Sequence, residues 1–309
     1  MKPPIILSLP AHRPMDSINM YLLLDDPITL IDAGLGNSAT ETCIYRALSS
    51  ADLNWNDLQR VIVTHTHPDH VGLARRLKEL SGADIYMHPL EWIKMVENRA
   101  DNLHLYHWAG IPTEFAEISH PSASTPAVPD ALVHHLLDGD QIPFDGFSLQ
   151  VIHTPGHCSG MICLHDPISG CIFTSDHLVP NFSPALLVET DSHSPNKRTA
   201  SLTQYQASLT KIISLPVTMA YPGHGQPFTQ YADLIVRKLA GIPKKLDRIH
   251  SYLTTDPQNV FDIVMQMIPE LPPALAFFAS GDTLAYLDHL HDIGSAQLFD
   301  HNGTLLFSL

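Results

Sequence analysis

Short apolar runs alternate with amphipathic stretches over the first two thirds of the chain. Runs rich in apolar and β-branched residues predict strands at Ser17–Leu24, Ile28–Asp32, Arg60–Thr64, Asp84–Met87, Leu149–His153, Met161–His165, Cys171–Ser175 and Val217–Ala220. Apolar positions at helical spacing predict helices over Ala39–Ala47, Val71–Leu80, Leu90–Arg99 and Thr203–Ile213. Strands alternating with helices argue an α/β or layered αββα architecture. The stretch 100–135, rich in His, Pro and Ala, has weak periodicity and reads as an insertion or a lid, with Leu103, Tyr106, Trp108, Ile111 and Phe115 as its apolar side chains.

After Gly225 the texture changes. Helices are predicted at Tyr231–Leu239 and Pro243–Leu253, separated by Gly241, and again at Val260–Ile268 and Asp282–Ile293, with Gly294 as a stop. Asn302-Gly303 between two short apolar runs is a hairpin signal. Three regions follow: a body over 1–226, connecting helices over 227–253 and a small winged-helix-like unit over 254–309.

Composition narrows what these regions can do. The 309 residues are 44% apolar, enough for a sizeable core, and the formal charge of −15 disfavours a phosphate backbone as partner. Between Thr254 and Leu309 there is no Lys or Arg against seven acidic residues, so the winged-helix-like unit is not expected to bind DNA. A packing, dimerising or pocket-lining role is left to it, and a homodimer stays open. The start, MKPPIILSLPAHRP, makes a poor signal peptide, and no apolar run is long enough for a membrane span. Cys43, Cys158, Cys163 and Cys171 form no CxxC pair and read as reduced thiols of a cytoplasmic protein, Cys158 as a small buried residue.

The chemistry is concentrated at strand ends. VIVTHTHPDH runs from a strand into three histidines and an aspartate. In extended chain, His65 and His67 point the same way. Pro68 opens a helix whose first turn carries Asp69 and His70. Two adjacent ligand pairs result, and a divalent ion needs more than a pair. Further candidates stand at other strand exits: Asp32 in LIDAG, His157 in TPGH, Asp176 and His177 in SDH, and His224 in PGHG.

These motifs, in this order, resemble the five motifs of the metallo-β-lactamase-fold hydrolase superfamily, over about residues 15–226. The resemblance implies an α+β fold, a four-layer αββα sandwich around a dinuclear metal site. By the family pattern His65, His67 and His157 hold one ion, Asp69, His70 and His224 the second, and Asp176 bridges both. Asp32 is expected to orient a histidine from behind the ligands. The C-terminal helices and hairpin resemble the winged-helix extension of the subgroup that includes lactamase-β-2-like proteins, and the body resembles hydroxyacylglutathione hydrolases.

Departures narrow the activity. His70 and Asp176 stand where the main class of zinc β-lactamases has no histidine and a cysteine. His67 stands where flavodiiron proteins carry Glu, and Val179 where known quorum-signal lactonases often place a tyrosine. No long nuclease-type insertion separates Asp176 from His224. The expectation is a hydrolase with two divalent ions, zinc first and iron or manganese also suited to the ligands, acting through a metal-bridging hydroxide. Asp69 and Asp176 are the expected catalytic residues, Asp69 also moving a proton to the leaving group. His177 is a candidate to contact a small-molecule ester, thioester or lactone. The alternatives are phosphodiester cleavage, including single-stranded RNA, served by Lys197, Arg198, Arg237, Lys238, Lys244, Lys245 and Arg248, and a non-catalytic binding protein that keeps metal for structure.

Overall fold

The computed structural model describes residues 1–11, 15–96, 101–115, 128–129, 132–192 and 194–309. The end of the helix expected at Leu90–Arg99 and much of the 100–135 stretch lie outside the described residues.

Two sheets face each other. In the first, β1 (Ile5–Pro10), β2 (Ser17–Leu23), β3 (Thr29–Ile31), β4 (Arg60–Ile62), β5 (Asp84–Met87) and β6 (Val133–His135) lie in sequence order. β1 to β3 pair antiparallel and β3 to β6 parallel. The second has the order β13-β10-β9-β8-β7, built from β7 (Gln141–Phe144), β8 (Phe147–His153), β9 (Ile162–Asp166), β10 (Cys171–Ser175) and β13 (Met219–Pro222). Two short strands, β11 (Thr190–Asp191) and β12 (Ser194–Arg198), form a ribbon beside them.

Side chains alternate across each strand, so every sheet has two apolar faces to cover. Tyr21 and Leu23 of β2 turn inward with Ile31 and Ile62, meeting Val151, Leu164, Phe173 and Tyr221 between the sheets. Met20 and Leu22 of the same strand turn outward, under α1 (Ser38–Ser50) and α3 (Ala74–Ser81), against Ile44, Leu48 and Leu77. On the far side, Ile152, Cys163, Ile172 and Ala220 pack beneath α6 (Ser201–Ile212) and α7 (Tyr231–His250). The four-layer αββα sandwich is thus formed as expected, and each fully buried Leu, Ile or Phe contributes about 1.5–3 kcal/mol to it.

Two helical stretches are divided differently from expectation. The helix predicted at Val71–Leu80 is divided into α2 (Pro68–Val71) and α3. The break falls at Gly72, whose backbone lies against the loop after β3; a Cβ there would sit 2.2 Å from Gly36 N. Conversely, the two helices expected on either side of Gly241 form a single α7 that runs through Gly241 and Pro243. Leu234, Ile235, Ile242 and Ile249 share its buried face, and that burial outweighs the helix-breaking tendency of Gly and Pro.

The last part holds α8 (Val260–Met267), α9 (Ala276–Asp292) and a small sheet in which β16 (Thr304–Ser308) lies between β14 (Gln258–Asn259) and β15 (Gln297–His301). The predicted hairpin turn forms at Asn302 and Gly303, both with positive φ (54° and 87°). α9 starts at Ala276, earlier than the Asp282 expected, because Ala276 and Phe277 are core residues as well. One continuous apolar cluster joins α9 and α8 to α6, α7 and the second sheet. From the expected insertion, α5 (Asp101–Ala109) packs Tyr106 against Phe277, and Phe115 meets Phe261. Among the described residues no helix is long and apolar enough to cross a membrane.

Candidate metal centre

Four strand exits converge on one point. The chain leaving β4 carries His65 and His67, and α2, opened by Pro68, carries Asp69 and His70. The loop after β8 brings His157, Asp176 follows the last residue of β10, and His224 comes two residues after β13.

The ligand atoms of His65, His67, His157 and Asp176 lie within 4.8 Å of one another, as do those of Asp69, His70 and His224. His67 Nδ1 stands 3.0 Å from His65 Nε2 and 2.9 Å from His157 Nε2. Asp176 lies between the groups, with Oδ1 3.3 Å from His70 Nε2, and Oδ2 3.6 Å from His157 Nε2 and 3.2 Å from His224 Nε2. Asp69 Oδ2 is 3.5 Å from His224 Nε2. The structure thus brings together all seven residues that the sequence nominates as ligands.

The far side of three of the rings is anchored. His70 Nδ1 donates to Asp32 Oδ2 at 2.9 Å, His157 Nδ1 to the Ala185 carbonyl at 2.6 Å and His224 Nδ1 to the Ser17 carbonyl at 2.6 Å. A proton on Nδ1 leaves the Nε2 lone pair facing the cluster. Asp32 also accepts from the Thr64 amide and from the hydroxyls of Thr64 and Ser175, so it ties the β3, β4 and β10 exits together. Asp32→Asn keeps the shape and removes the charge; metal affinity, read by chelator competition, is expected to fall by about 10–100-fold.

The buried atoms fit divalent cations. His70 Nε2 and Asp176 Oδ1 are buried without a hydrogen-bond partner. The donor set, five imidazoles and two carboxylates, is one that zinc, iron or manganese accepts. Burial, and then the neighbouring histidines, hold His65 and His67 well below the usual imidazole range, so both are neutral. Burial works against charge on His70, yet Asp176, Asp69 and Asp32 outweigh it and push its pKa up to about 10, so a divalent ion bound there would take the place of the proton on Nε2. Burial would raise Asp176, but His224 and His70 hold it well below the ordinary carboxylate value. Asp176 thus stays ionised and makes the cavity floor attractive to cations.

The sequence profile of the metallo-beta-lactamase superfamily matches residues 13–224. The chain belongs to that superfamily. The probable metallo-hydrolase YqjP of Bacillus subtilis is 26% identical over 98% of this chain and 97% of its own length. The hydroxyacylglutathione hydrolase GloC of Haemophilus influenzae is 28% identical over 52% of this chain and 66% of its own. The metallo-beta-lactamase family protein TTHA1429 of Thermus thermophilus superposes with a TM-score of 0.84 at 23% identity, covering 100% of this chain and 99% of that one, which shows the shared fold. As a superfamily member the chain is a metallo-hydrolase, and its metal is divalent.

His177 stands apart from the ligands of this metallo-hydrolase. It is fully buried, edge-on to Tyr205 at 5.3 Å, and neither ring nitrogen has a partner. Burial pushes its pKa down to about 3, so the ring is neutral.

Sequence reasoning missed a second tier. Asn19 Nδ2 donates to the carbonyls of Pro222 and Gly225, and Tyr21 donates to Pro222, clamping the His224 loop to β2. On α4 (Pro89–Val96), Glu91 is 1% exposed. Its Oε2 accepts from the Thr66 amide and hydroxyl, between His65 and His67; its Oε1 accepts from the Gly160 amide and from Lys94. Lys94 also donates to Glu189 at 2.7 Å, and Glu189 accepts from the Ser159 amide at 3.1 Å. One triad, buried at Glu91 and partly exposed at Lys94 and Glu189, therefore fastens the two loops that carry His65, His67 and His157. In the sequence Glu91 is a single acidic residue at a helix start, with nothing to mark it. Cys158, beside the triad, is buried as expected, and burial holds its thiol protonated.

Burial would raise the Glu91 pKa, but Lys94 and the Thr66 hydrogen bonds bring it from 4.5 down to about 2. A depressed carboxylate stabilises the fold above its unfolded value and stops doing so as the pH falls through its folded one. This contribution is therefore intact at neutral pH and is lost between pH 4.5 and about 2. Glu91→Gln is expected to cost ~3 kcal/mol in a urea melt, because it leaves part of a buried ion pair unmatched. The double variant Glu91→Gln/Lys94→Met should cost less than the sum of the two single changes.

Proposed function

We propose that this metallo-hydrolase works with two divalent ions, zinc in the first instance, and cleaves an ester, thioester or lactone. The observation that carries the reading is Asp176. Its carboxylate stands between the two ligand groups, with His157 of one and His70 and His224 of the other all within 3.6 Å, the position a carboxylate shared by two ions would take. His65, His67 and His157 would hold one ion, and Asp69, His70 and His224 the other. Ions bound there would polarise the scissile carbonyl and lower the pKa of water.

The protein's own groups supply the rest. Asp32, Ala185 and Ser17 fix three imidazoles in the tautomer that presents Nε2. Asp69, partly exposed where the other carboxylate is buried, is placed to pass a proton to the departing oxygen or sulfur. The thioester choice draws support from the name of GloC, a hydroxyacylglutathione hydrolase. The phosphodiester alternative loses support where its cations are already engaged: Arg198 makes a bidentate pair with Asp288, and Lys245 an ion pair with Asp282.

Metal analysis of the purified protein is expected to return close to two ions per chain. A panel of p-nitrophenyl esters, thioesters, lactones, bis-p-nitrophenyl phosphate and RNA, run with defined metals, ranks the substrates. Activity confined to the phosphodiesters would reject the acyl assignment.

A further inference from the structure

The basic run on α7 has no part in the chemistry above, and the structure divides it. Arg237, Lys238 and Lys245 line a cavity of about 210 Å³ between α7, α9 and the segment 180–186. Its only carboxylate among the lining residues is Asp282. That carboxylate is already engaged, since Lys245 pairs with it and the Leu186 amide donates to it at 3.2 Å. Lys238 is half-buried and donates only to uncharged oxygens, the Phe182 carbonyl and the Ser183 hydroxyl. Among the described residues Arg237 has no ion-pair partner, although the chain as a whole carries −15. Burial, and then Arg237 beside it, lower the Lys238 pKa to about 8.

A second observation points the same way. Tyr205 also lines this cavity and is 3% exposed, yet its hydroxyl has no hydrogen-bond partner. A buried hydroxyl left unpaired costs about 1–3 kcal/mol, so a ligand that accepts its proton recovers that loss. Two cations without a counter-charge and one donor hydroxyl lining a single cavity make a receptor for an oxyanion.

We propose that the cavity formed by Arg237, Lys238 and Tyr205 binds an oxyanion group, a phosphate or a carboxylate, at a site separate from the metal ligands. The proposal does not depend on which bond the metal centre cleaves. The cavity wall is the same segment that orients the metal centre: Ala185 holds His157, and the Phe182 ring lies 5.8 Å from that of His224. An anion held there would rest against that segment.

The test is isothermal titration of the metal-loaded protein with inorganic phosphate and, separately, with succinate. Saturable binding is expected. Arg237→Ser and Lys238→Met should each weaken it by about tenfold, the loss of one charged hydrogen bond. Tyr205→Phe, which keeps the ring packing, should weaken it to a smaller extent. Anion captured directly by the metals is common to parent and variants, so the differences report the cavity. Melting temperatures near the parent's confirm the folds, and Arg237→Ser, at an exposed helix position, carries the test should Lys238→Met fail to fold. The tighter of the two anions identifies the group as phosphate or carboxylate. Equal affinity in the parent and in Arg237→Ser, or no saturable binding of either anion, overturns the proposal.

Discussion

Asp176→Ala is expected to abolish hydrolysis, with kcat/KM falling by about a thousandfold or more, equivalent to ~4 kcal/mol of lost transition-state stabilisation. Metal content after dialysis should drop from near two ions to near one or fewer. The reason is geometric. Asp176 supplies the carboxylate that faces His70, His157 and His224 together, each between 3.2 and 3.6 Å away. Its removal takes an acceptor from both groups at once, while His65, His67 and His157 still converge on one another. The fold should survive, because β10 and β13 are held by their ladder and by Phe173, not by the carboxylate. A circular dichroism melt run beside the metal assay separates the two effects. Full metal occupancy in Asp176→Ala would reject the shared-carboxylate arrangement.

Gly223→Ala is expected to damage the same centre without altering any ligand. A Cβ on Gly223 would lie 2.3 Å from Asp176 Oδ1 and 2.8 Å from His70 Cε1. Neither group can retreat, since His70 is pinned to Asp32 and Asp176 is enclosed by histidines. The added methyl must displace a ligand or push β13 away from β10. Overpacking of this kind costs ~1–3 kcal/mol in stability. Its larger effect falls on metal affinity, where a displacement of about 1 Å is expected to cost about a hundredfold or more. Chelator competition measures this; an unchanged affinity would mean that the loop yields where the packing says it cannot.

The candidate ligands were legible because the chemistry sits in short, dense motifs placed after strands. A strand exit is recognisable from apolar residues giving way to Gly, Pro and His, and VIVTHTHPDH, TPGH and PGHG all have that form. The layered fold was legible for the same reason. Local periodicity, however, carries no information about distant packing. Nothing near Gly241 and Pro243 indicates that a helix persists through them, because the burial of Ile242 and Ile249 that sustains it is supplied by other elements. The opposite error at Gly72 has the same origin, as the backbone it touches lies some 36 residues earlier in the chain. Glu91, Lys94 and Glu189 are dispersed in sequence and meet only in space. Asn19, unremarkable within a strand, is likewise known only by the loop it grips.

The way the imidazoles are anchored bears on how this centre tolerates mutation. His157 and His224 are oriented by main-chain oxygens, at Ala185 and Ser17. Every amino acid has that oxygen, so a codon change at either anchor leaves the acceptor in place, provided the backbone holds its course. His70 depends instead on the side chain of Asp32. Substitution should therefore be tolerated at position 185 more readily than at position 32, where one base change can remove the acceptor, with position 17 between them because the Ser17 hydroxyl also accepts from the Gly225 amide. In a saturation library selected for activity, Asp32 is expected to stand out as nearly invariant among the anchors.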